Sequence, residues 1–368
     1  MEHLFYGSYF TPMKKFILPV TFLFLIILSI QAQVFKDNEG TSLKDLVNTL
    51  GSRIKLSGYA QFGYTYDPAE KVDNTFDIKR IIFMADGKIT DRWKMYFMYD
   101  FKSSKTLEVY TEYKFFDALK VRLGQYKTPL TLENQLSPSA VELIDCYSLA
   151  ASYMAGISPS DDLYGSQGGR DQGLMIYGDF LPAEEGYRRF GYKLALMNGQ
   201  GINIKDRNTQ KDIIGSLSYK PCSEATLCAT MEEGRGNAVA TSVYNPDLKV
   251  GDNYRRARWS VGGELKTSLA DLRSEYMAGR DAAVRSEGFY ATGNLHLTRV
   301  IDLVVSYDYL NRNKSWGDRA EQTNYVAGLL YWFYPRCRLQ LIYTYRDMHE
   351  DIYKKGGNLL QAQVQFRF

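Results

Sequence analysis

Five basic residues are spaced in a way that could bind anions. Lys120 and Arg122 are two residues apart, as are Arg256 and Arg258, and Lys127 follows the first pair. In a β-strand this spacing places both side chains of a pair on one face. A guanidinium donates paired hydrogen bonds to phosphate or carboxylate oxygens, and an ammonium adds a point charge. These residues predict non-covalent guidance of small anions rather than a reaction.

Residue types for catalysis are sparse. The histidines are His3, His296 and His349, and His3 lies in a segment that we expect to be removed. A hydrolase would need His296 with Ser306 or Asp308 from the next strand, and the sequence contains no HExxH, nucleophile-elbow or Walker motif. The four cysteines lack metal-site spacing, although the middle two could form a disulfide or remain free thiols: Cys146, Cys222, Cys228 and Cys337. We expect no enzyme, no cofactor and no metal site.

The elements that position these residues are strands. From Arg53 onward apolar and polar residues alternate with a period of two, as in Ile54–Tyr66, where thirteen residues exceed the usual soluble strand of about 5–6. This length suits a tilted membrane strand of about 9–11 residues with some overhang. Similar segments begin near residues 53, 75, 91, 106, 118, 171, 188, 211, 224, 254, 271, 287, 301, 323, 337 and 358. The pattern predicts an all-β, sixteen-stranded antiparallel transmembrane barrel of the outer-membrane type.

The connections between these segments alternate in length. Tight ones are expected at 117–118, 221–224 and 335–336, and long or charged ones at 67–74, 128–170, 199–210 and 234–252, with a turn at the glycines of 234–236. Short periplasmic turns opposite longer outer loops are typical of such barrels. The 29 tyrosines also fit, because amphipathic rings anchor strands at the two lipid interfaces.

The connection over 128–170, the third outer loop, is far longer than the others. It carries apolar residues such as Leu143 and Ile144, which predict that it folds inward against the barrel wall and narrows a pore. The loop carries five carboxylates and one guanidinium, a net charge of −4: Glu133, Glu142, Asp145, Asp161, Asp162 and Arg170. An acidic constriction is compatible with an anion path only if arginines of the wall bind these carboxylates. Wall cations could equally pair across strands, as Lys114 or Lys120 with Glu108 or Glu112.

The remaining features concern export and overall charge. Lys14-Lys15, an apolar run of about thirteen residues and a small residue at Ala32 predict a signal peptide over 1–32, with a possible true start at Met13. A short periplasmic helix or linker over 33–52 and a barrel over 53–368 would follow. The charge balance of 45 basic to 42 acidic residues argues against a nucleic-acid partner, and the aromatic fraction of 14% argues against disorder.

The segment Val121-Arg-Leu-Gly-Gln-Tyr-Lys127-Thr-Pro129-Leu-Thr-Leu-Glu133, together with the strand count, the long third outer loop and the terminal Phe368, resembles the phosphate-selective porin O/P family of the Bacteroidetes type. The resemblance implies a water-filled outer-membrane porin of a Gram-negative bacterium for small anions such as phosphate or polyphosphate. It also implies a homotrimer, contacts with outer-membrane lipid and lipopolysaccharide, and recognition of the last strand by the barrel-assembly machinery. A non-selective or cation-tolerant porin, or a plugged structural or adhesive barrel, is the alternative.

Overall fold

In the computed structural model, the described residues are 51–157, 161–165, 167–349 and 356–368. The predicted signal peptide and nearly all of the predicted linker lie outside them. The strands alternate as the sequence does. In the tenth strand, the apolar side chains of Trp259 and Val261 are 46% and 54% exposed. Arg258 and Ser260, which alternate with them along the strand, are only 3% and 1% exposed. The apolar phase therefore points outward to lipid and the polar phase points into the barrel.

Sixteen antiparallel strands close into one barrel, in chain order, with the first paired to the last. They are β1 Ile54–Tyr66, β2 Asn74–Lys88, β3 Trp93–Asp100, β4 Lys105–Phe116, β5 Leu119–Lys127, β6 Arg170–Pro182, β7 Arg188–Met197, β8 Asp212–Tyr219, β9 Ala225–Asn237, β10 Asn253–Lys266, β11 Ala270–Asp281, β12 Val284–His296, β13 Ile301–Asn311, β14 Glu321–Tyr334, β15 Cys337–Met348 and β16 Gly357–Arg367. This confirms the predicted fold and strand number.

One end of the barrel carries tight turns and the other carries loops. The turns are 89–92, 117–118, 183–187, 220–224, 267–269, 297–300 and 335–336. The loops are 67–73, 101–104, 128–169, 198–211, 238–252, 282–283, 312–320 and 349–356. Two predicted details were wrong. Arg170 begins β6 instead of ending the loop, and the glycines at 234–236 lie in β9, where a Cβ on Gly234 would be 1.8 Å from Asp212 Oδ1.

Aromatic side chains form cross-strand rows on the outer face. Near the turns, Phe180 stacks on Phe190 and Phe190 on Tyr219, with ring centroids 5.5 and 4.8 Å apart. Towards the loops, Tyr307, Tyr325 and Tyr345 lie side by side on β13, β14 and β15. Within the described residues, no helix has the length and apolar character needed to cross a membrane.

Candidate functional site: the barrel lumen and its inward-folded loop

The base of the long loop is closed by its own residues. Thr128 donates its backbone N–H to the carbonyl of Gly169 at 3.0 Å, and the Asn134 side-chain amide donates to the carbonyls of both residues at 3.1 and 3.0 Å. Gly169 has φ +64°, and a Cβ there would lie 2.1 Å from Asn134 Oδ1. The two ends of the loop are therefore clamped together directly above β5 and β6.

From this base the loop runs across the lumen to the opposite wall. Thr131 donates its backbone N–H to Thr230 Oγ1 of β9 at 3.1 Å, and Leu132 donates to Glu275 Oε1 of β11 at 2.8 Å. A short helix, α1 (Leu149–Met154), is buried against β11, β12 and β13. The side chains of its apolar cluster are Leu149, Ala150, Ala151, Tyr153, Met154, Met277, Tyr290 and Leu310. The predicted inward fold of the third outer loop is confirmed.

The middle of the loop covers the wall formed by β13 to β16. Leu143 and Ile144 pack on Val304, Val326, Leu330 and Ile342, which belong to the inner face of β13–β15. Three wall side chains donate to loop carbonyls: Arg338 to Val141 at 2.5 Å, Gln340 to Glu142 at 2.7 Å and Gln365 to Ser139 at 3.2 Å. The loop thus packs on the inner face of β13–β16, and a cavity of about 560 Å³ remains between Ala140, Glu142 and β11–β15.

Two of the loop carboxylates, Glu133 and Glu142, are bound by a wall arginine. Arg273 of β11, itself 4% exposed, donates to Glu142 Oε2 at 2.5 Å and to Glu133 Oε1 at 3.5 Å. Burial raises the pKa of Glu133 to about 7, although Arg273 acts in the opposite direction. Glu133 also accepts the Ser148 backbone N–H at 2.7 Å. Two of the five loop acids therefore share one buried wall arginine.

The other predicted loop charges lie apart from this pair. Asp145 accepts from Gln361 at 3.1 Å, and Asp161 accepts from the Ser242 hydroxyl at 2.7 Å. Burial raises the pKa of Asp161. Asp162 is exposed, and Arg170 pairs with Glu108 of β4 at 3.2 Å. Without Arg170, which belongs to β6, the loop carries a net charge of −5, and its carboxylates lie at separate places along it.

Arg256 and Arg258 face inward, as predicted, but the loops bury them to 1% and 3% exposure. Arg258 donates to Asp281 at 2.9 and 3.1 Å and to the carbonyl of Met154 in α1. Arg256 lies 3.3 Å from Asp212 and 3.9 Å from Glu232. Their charges are balanced by carboxylates, and their position links β10 to the loop.

The remaining predicted cations line the other wall. Lys120 Nζ lies 3.0 Å from Asp179 Oδ2. Arg122 donates to Glu112 Oε2 at 2.9 and 2.7 Å. Lys127 donates to the Leu136 carbonyl and, at 2.9 Å, to the Tyr147 hydroxyl. Lys120 and Arg122 thus form cross-strand pairs, while the described contacts of Lys127 are with neutral groups.

Arg122 also lies in an aromatic cage that the sequence pattern did not predict. Its guanidinium carbon is 4.1 Å from the ring centre of Tyr110, 5.4 Å from that of Tyr126 and 5.2 Å from that of Tyr177. Such cation–π contacts hold the guanidinium in one orientation. Gly124 leaves the room for Tyr110, because a Cβ on Gly124, at φ +138°, would lie 2.7 Å from Tyr110 Cα. Tyr110 is two residues from both Glu108 and Glu112, and this spacing could have indicated that its side chain also points into the lumen.

A cavity of about 370 Å³ opens between this wall and the first part of the loop. Its charged lining residues are Glu108, Arg122, Lys127, Arg170, Lys193 and Arg367. Lys193 donates to Gln135, and Arg367 donates to the Ser139 hydroxyl at 3.1 Å. In the part of the chain that the structure describes, neither of these two, nor Lys127, has a carboxylate within 4 Å. The wall of the cavity is strongly basic.

The predicted alternative of a histidine-centred site is not assembled. His296 Nδ1 lies 2.9 Å from Asp302 Oδ1, whereas Ser306 hydrogen-bonds to Thr292 and Asp308 accepts from the backbone of Leu149. All four cysteines are free thiols, so Cys222 and Cys228 do not form a disulfide.

A closed sixteen-stranded barrel with a lipid-facing apolar belt and a long loop folded into a polar lumen defines the porin class of outer-membrane proteins. Residues 50–198 match the family model described as phosphate-selective porin O and P, which confirms the predicted family over that part of the chain. The barrel fold of the chain and this partial family match are those of outer-membrane porins.

Solved structures show the same fold at low sequence identity. An anion-selective porin from Comamonas acidovorans is 11% identical, with a TM-score of 0.59 and coverage of 86% of this chain and 99% of that one. The trimer form of OmpT from Vibrio cholerae is 14% identical, with a TM-score of 0.58 and coverage of 86% and 99%. OmpF of Salmonella typhi in complex with daunomycin is 11% identical, with a TM-score of 0.57 and coverage of 86% and 97%. A comparison with curated proteins gave no match.

Proposed function

We propose that this porin conducts small anions, phosphate-type ions among them, along the wall formed by β2–β7. The observation that carries the proposal is the basic cavity, in which five cations face one carboxylate, Glu108. Rings of arginine and lysine favour anions in pores because they replace part of the hydration shell with charge-assisted hydrogen bonds. The match to the phosphate-selective family model and the fold shared with an anion-selective porin also support anion conduction.

The acidic loop does not oppose this proposal. An anion entering the constriction would be repelled by free carboxylates, but Glu133 and Glu142 are both held by Arg273 on the far side of the loop. Neither of these two acids lines the basic cavity. We assign Lys120, Arg122 and Lys127 to the anion path, and Arg256 and Arg258 to anchoring the loop.

The proposal extends to processing and assembly. We propose removal of residues 1–32, assembly as a homotrimer in contact with outer-membrane lipid and lipopolysaccharide, and recognition of the strand ending at Phe368 by the barrel-assembly machinery. Support for the trimer comes from the trimer form of the Vibrio cholerae neighbour. Chemical cross-linking in mild detergent checks it, because a product limited to monomers would contradict the trimer.

The test of anion conduction is a planar bilayer under a salt gradient of potassium chloride. We expect stepwise conductance and a reversal potential whose sign shows that chloride is more permeant than potassium. Silent membranes would favour the plugged barrel, and a reversal potential at zero or of the potassium sign would favour the non-selective or cation-tolerant porin. Either result overturns the proposal.

A further inference from the structure

The lining of the basic cavity combines apolar and basic side chains. Elsewhere on the inner face, apolar side chains such as Val304 and Ile342 are covered by the loop, and other inward positions carry polar side chains such as Gln363 of β16. The cavity instead has methionine and tyrosine at inward positions between its cations: Met84, Tyr96, Met98, Met175 and Tyr177. The apolar side chains and the basic ones line the same space.

These apolar side chains form a continuous surface on adjacent strands. Tyr96 of β3 stacks on Tyr110 of β4 with ring centres 5.1 Å apart, and Met84 and Tyr96 pack on the buried cluster that contains Met98. Tyr96 and Tyr177 also pack on the cluster that contains Met175. The surface is therefore held rigidly by the barrel wall, with Tyr96 and Tyr177 only partly buried.

Hydrated inorganic anions gain nothing from such a surface. A thioether or a phenol ring cannot replace water around phosphate or chloride, and the negative face of an aromatic ring repels an anion. An anion attached to an apolar body gains from both features, because its charge meets arginine and its body leaves water against methionine and tyrosine. The combination distinguishes organic anions from inorganic ones.

We propose that the preferred solutes of this pore are small organic anions with an aromatic or other flat apolar body, bound in the cavity with the charged group towards Arg122, Arg170 and Arg367 and the body against Met84, Tyr96 and Tyr177. Arginine keeps its charge in this setting, so the site holds a carboxylate or phosphate head group. The inference rests on the proposed anion conduction and specifies its substrate class.

The experiment measures block of the chloride current through single channels by benzoate and by acetate, which carry the same charged group and are both ionised at neutral pH. Benzoate should reach half-block at a concentration about tenfold lower than acetate, given the additional apolar area removed from water. This comparison uses the unaltered protein, so it does not depend on whether a variant folds.

Two variants assign the effect to the cavity. Tyr96→Ala should reduce the benzoate-to-acetate ratio to about threefold or less. Tyr113→Ala, the same change at an outward-facing, 39% exposed position of β4, should keep the unaltered ratio. A ratio that Tyr96→Ala leaves unchanged would overturn the assignment to this cavity.

The failures of the two proposals are distinguishable. Equal half-block by benzoate and acetate, with a reversal potential of the chloride sign, overturns the organic-anion inference and leaves anion conduction standing. A silent membrane or a potassium-sign reversal potential overturns anion conduction and the inference with it.

Discussion

Arg273 should decide whether the loop stays against the wall. Its guanidinium lies 2.5 Å from Glu142 and 3.5 Å from Glu133, and the Glu133 side chain is fully buried. Replacing it by methionine, which fills similar volume, leaves both carboxylates without their cation. Removing one partner of a buried ion pair costs about 3–5 kcal/mol. We expect the lower end, about 3 kcal/mol, because Glu133 can take up a proton.

The loop carries its own reporter of this change. Cys146 is fully buried among loop side chains such as Val141 and Tyr147, so a maleimide can reach its thiol only when the packing of the loop is disrupted. In a chain whose other three cysteines are replaced by serine, Arg273→Met should accelerate labelling roughly hundredfold, the factor that corresponds to about 3 kcal/mol. The assay is the labelling rate of the folded barrel in detergent, followed by mass.

A matched rescue separates the ion pairs from simple loss of packing. Adding Glu133→Gln and Glu142→Gln to Arg273→Met removes the orphaned charges and should return the labelling rate to within about tenfold of the parent. The reasoning is refuted if Arg273→Met labels at the parent rate, or if the rescue variant labels as fast as Arg273→Met alone.

Three further outcomes follow from the same contacts. Arg122→Gln leaves Glu112 without its closest cation and should move the reversal potential towards that of a non-selective pore, and an unchanged potential removes Arg122 from the path. Gly124→Val places a Cβ 2.3 Å from the Val109 carbonyl and should destabilise the barrel by about 2–4 kcal/mol, measured by urea unfolding in detergent, where an unchanged midpoint contradicts the steric reasoning. Burial raises the pKa of Glu133 to about 7 from 4.5, so the contribution of protonated Glu133 to loop stability is fully present below pH 4.5 and is lost as pH rises through about 7. Labelling of the loop thiol, corrected for thiol ionisation with an exposed cysteine, should rise over that range, and Glu133→Gln should abolish the rise.

The strands could be predicted because the environment on each side of the wall differs. Lipid outside and a polar lumen inside force a period of two, and a one-residue slip would place Arg258 in lipid and Trp259 in the lumen. The first strand and the turn at 117–118 could therefore be located from the residues alone. The extension of β9 through Gly234 could not be located, because the glycine is required by the close approach of Asp212 from the neighbouring strand β8.

The site was less predictable because facing inward is not the same as facing water. Arg256 and Arg258 have the same two-residue spacing as Lys120 and Arg122. Only the structure shows that α1 and neighbouring residues cover Arg256 and Arg258. Contacts such as that of Arg273 with Glu142 join residues more than a hundred positions apart. No local sequence pattern contains that pairing, so the neutralisation of loop carboxylates by a wall arginine could not be predicted from the sequence.

Arg258 and Arg273 hold the loop from β10 and β11, whereas the arginines of the cavity belong to β5, β6 and β16. The loop is also held from the cavity side, because Lys127, Lys193 and Arg367 donate to Leu136, Gln135 and Ser139. Most basic side chains of the cavity therefore fix the position of the loop as well as lining the solute path. Arg122 donates to the wall residue Glu112, so its substitution can change selectivity without removing one of these loop contacts.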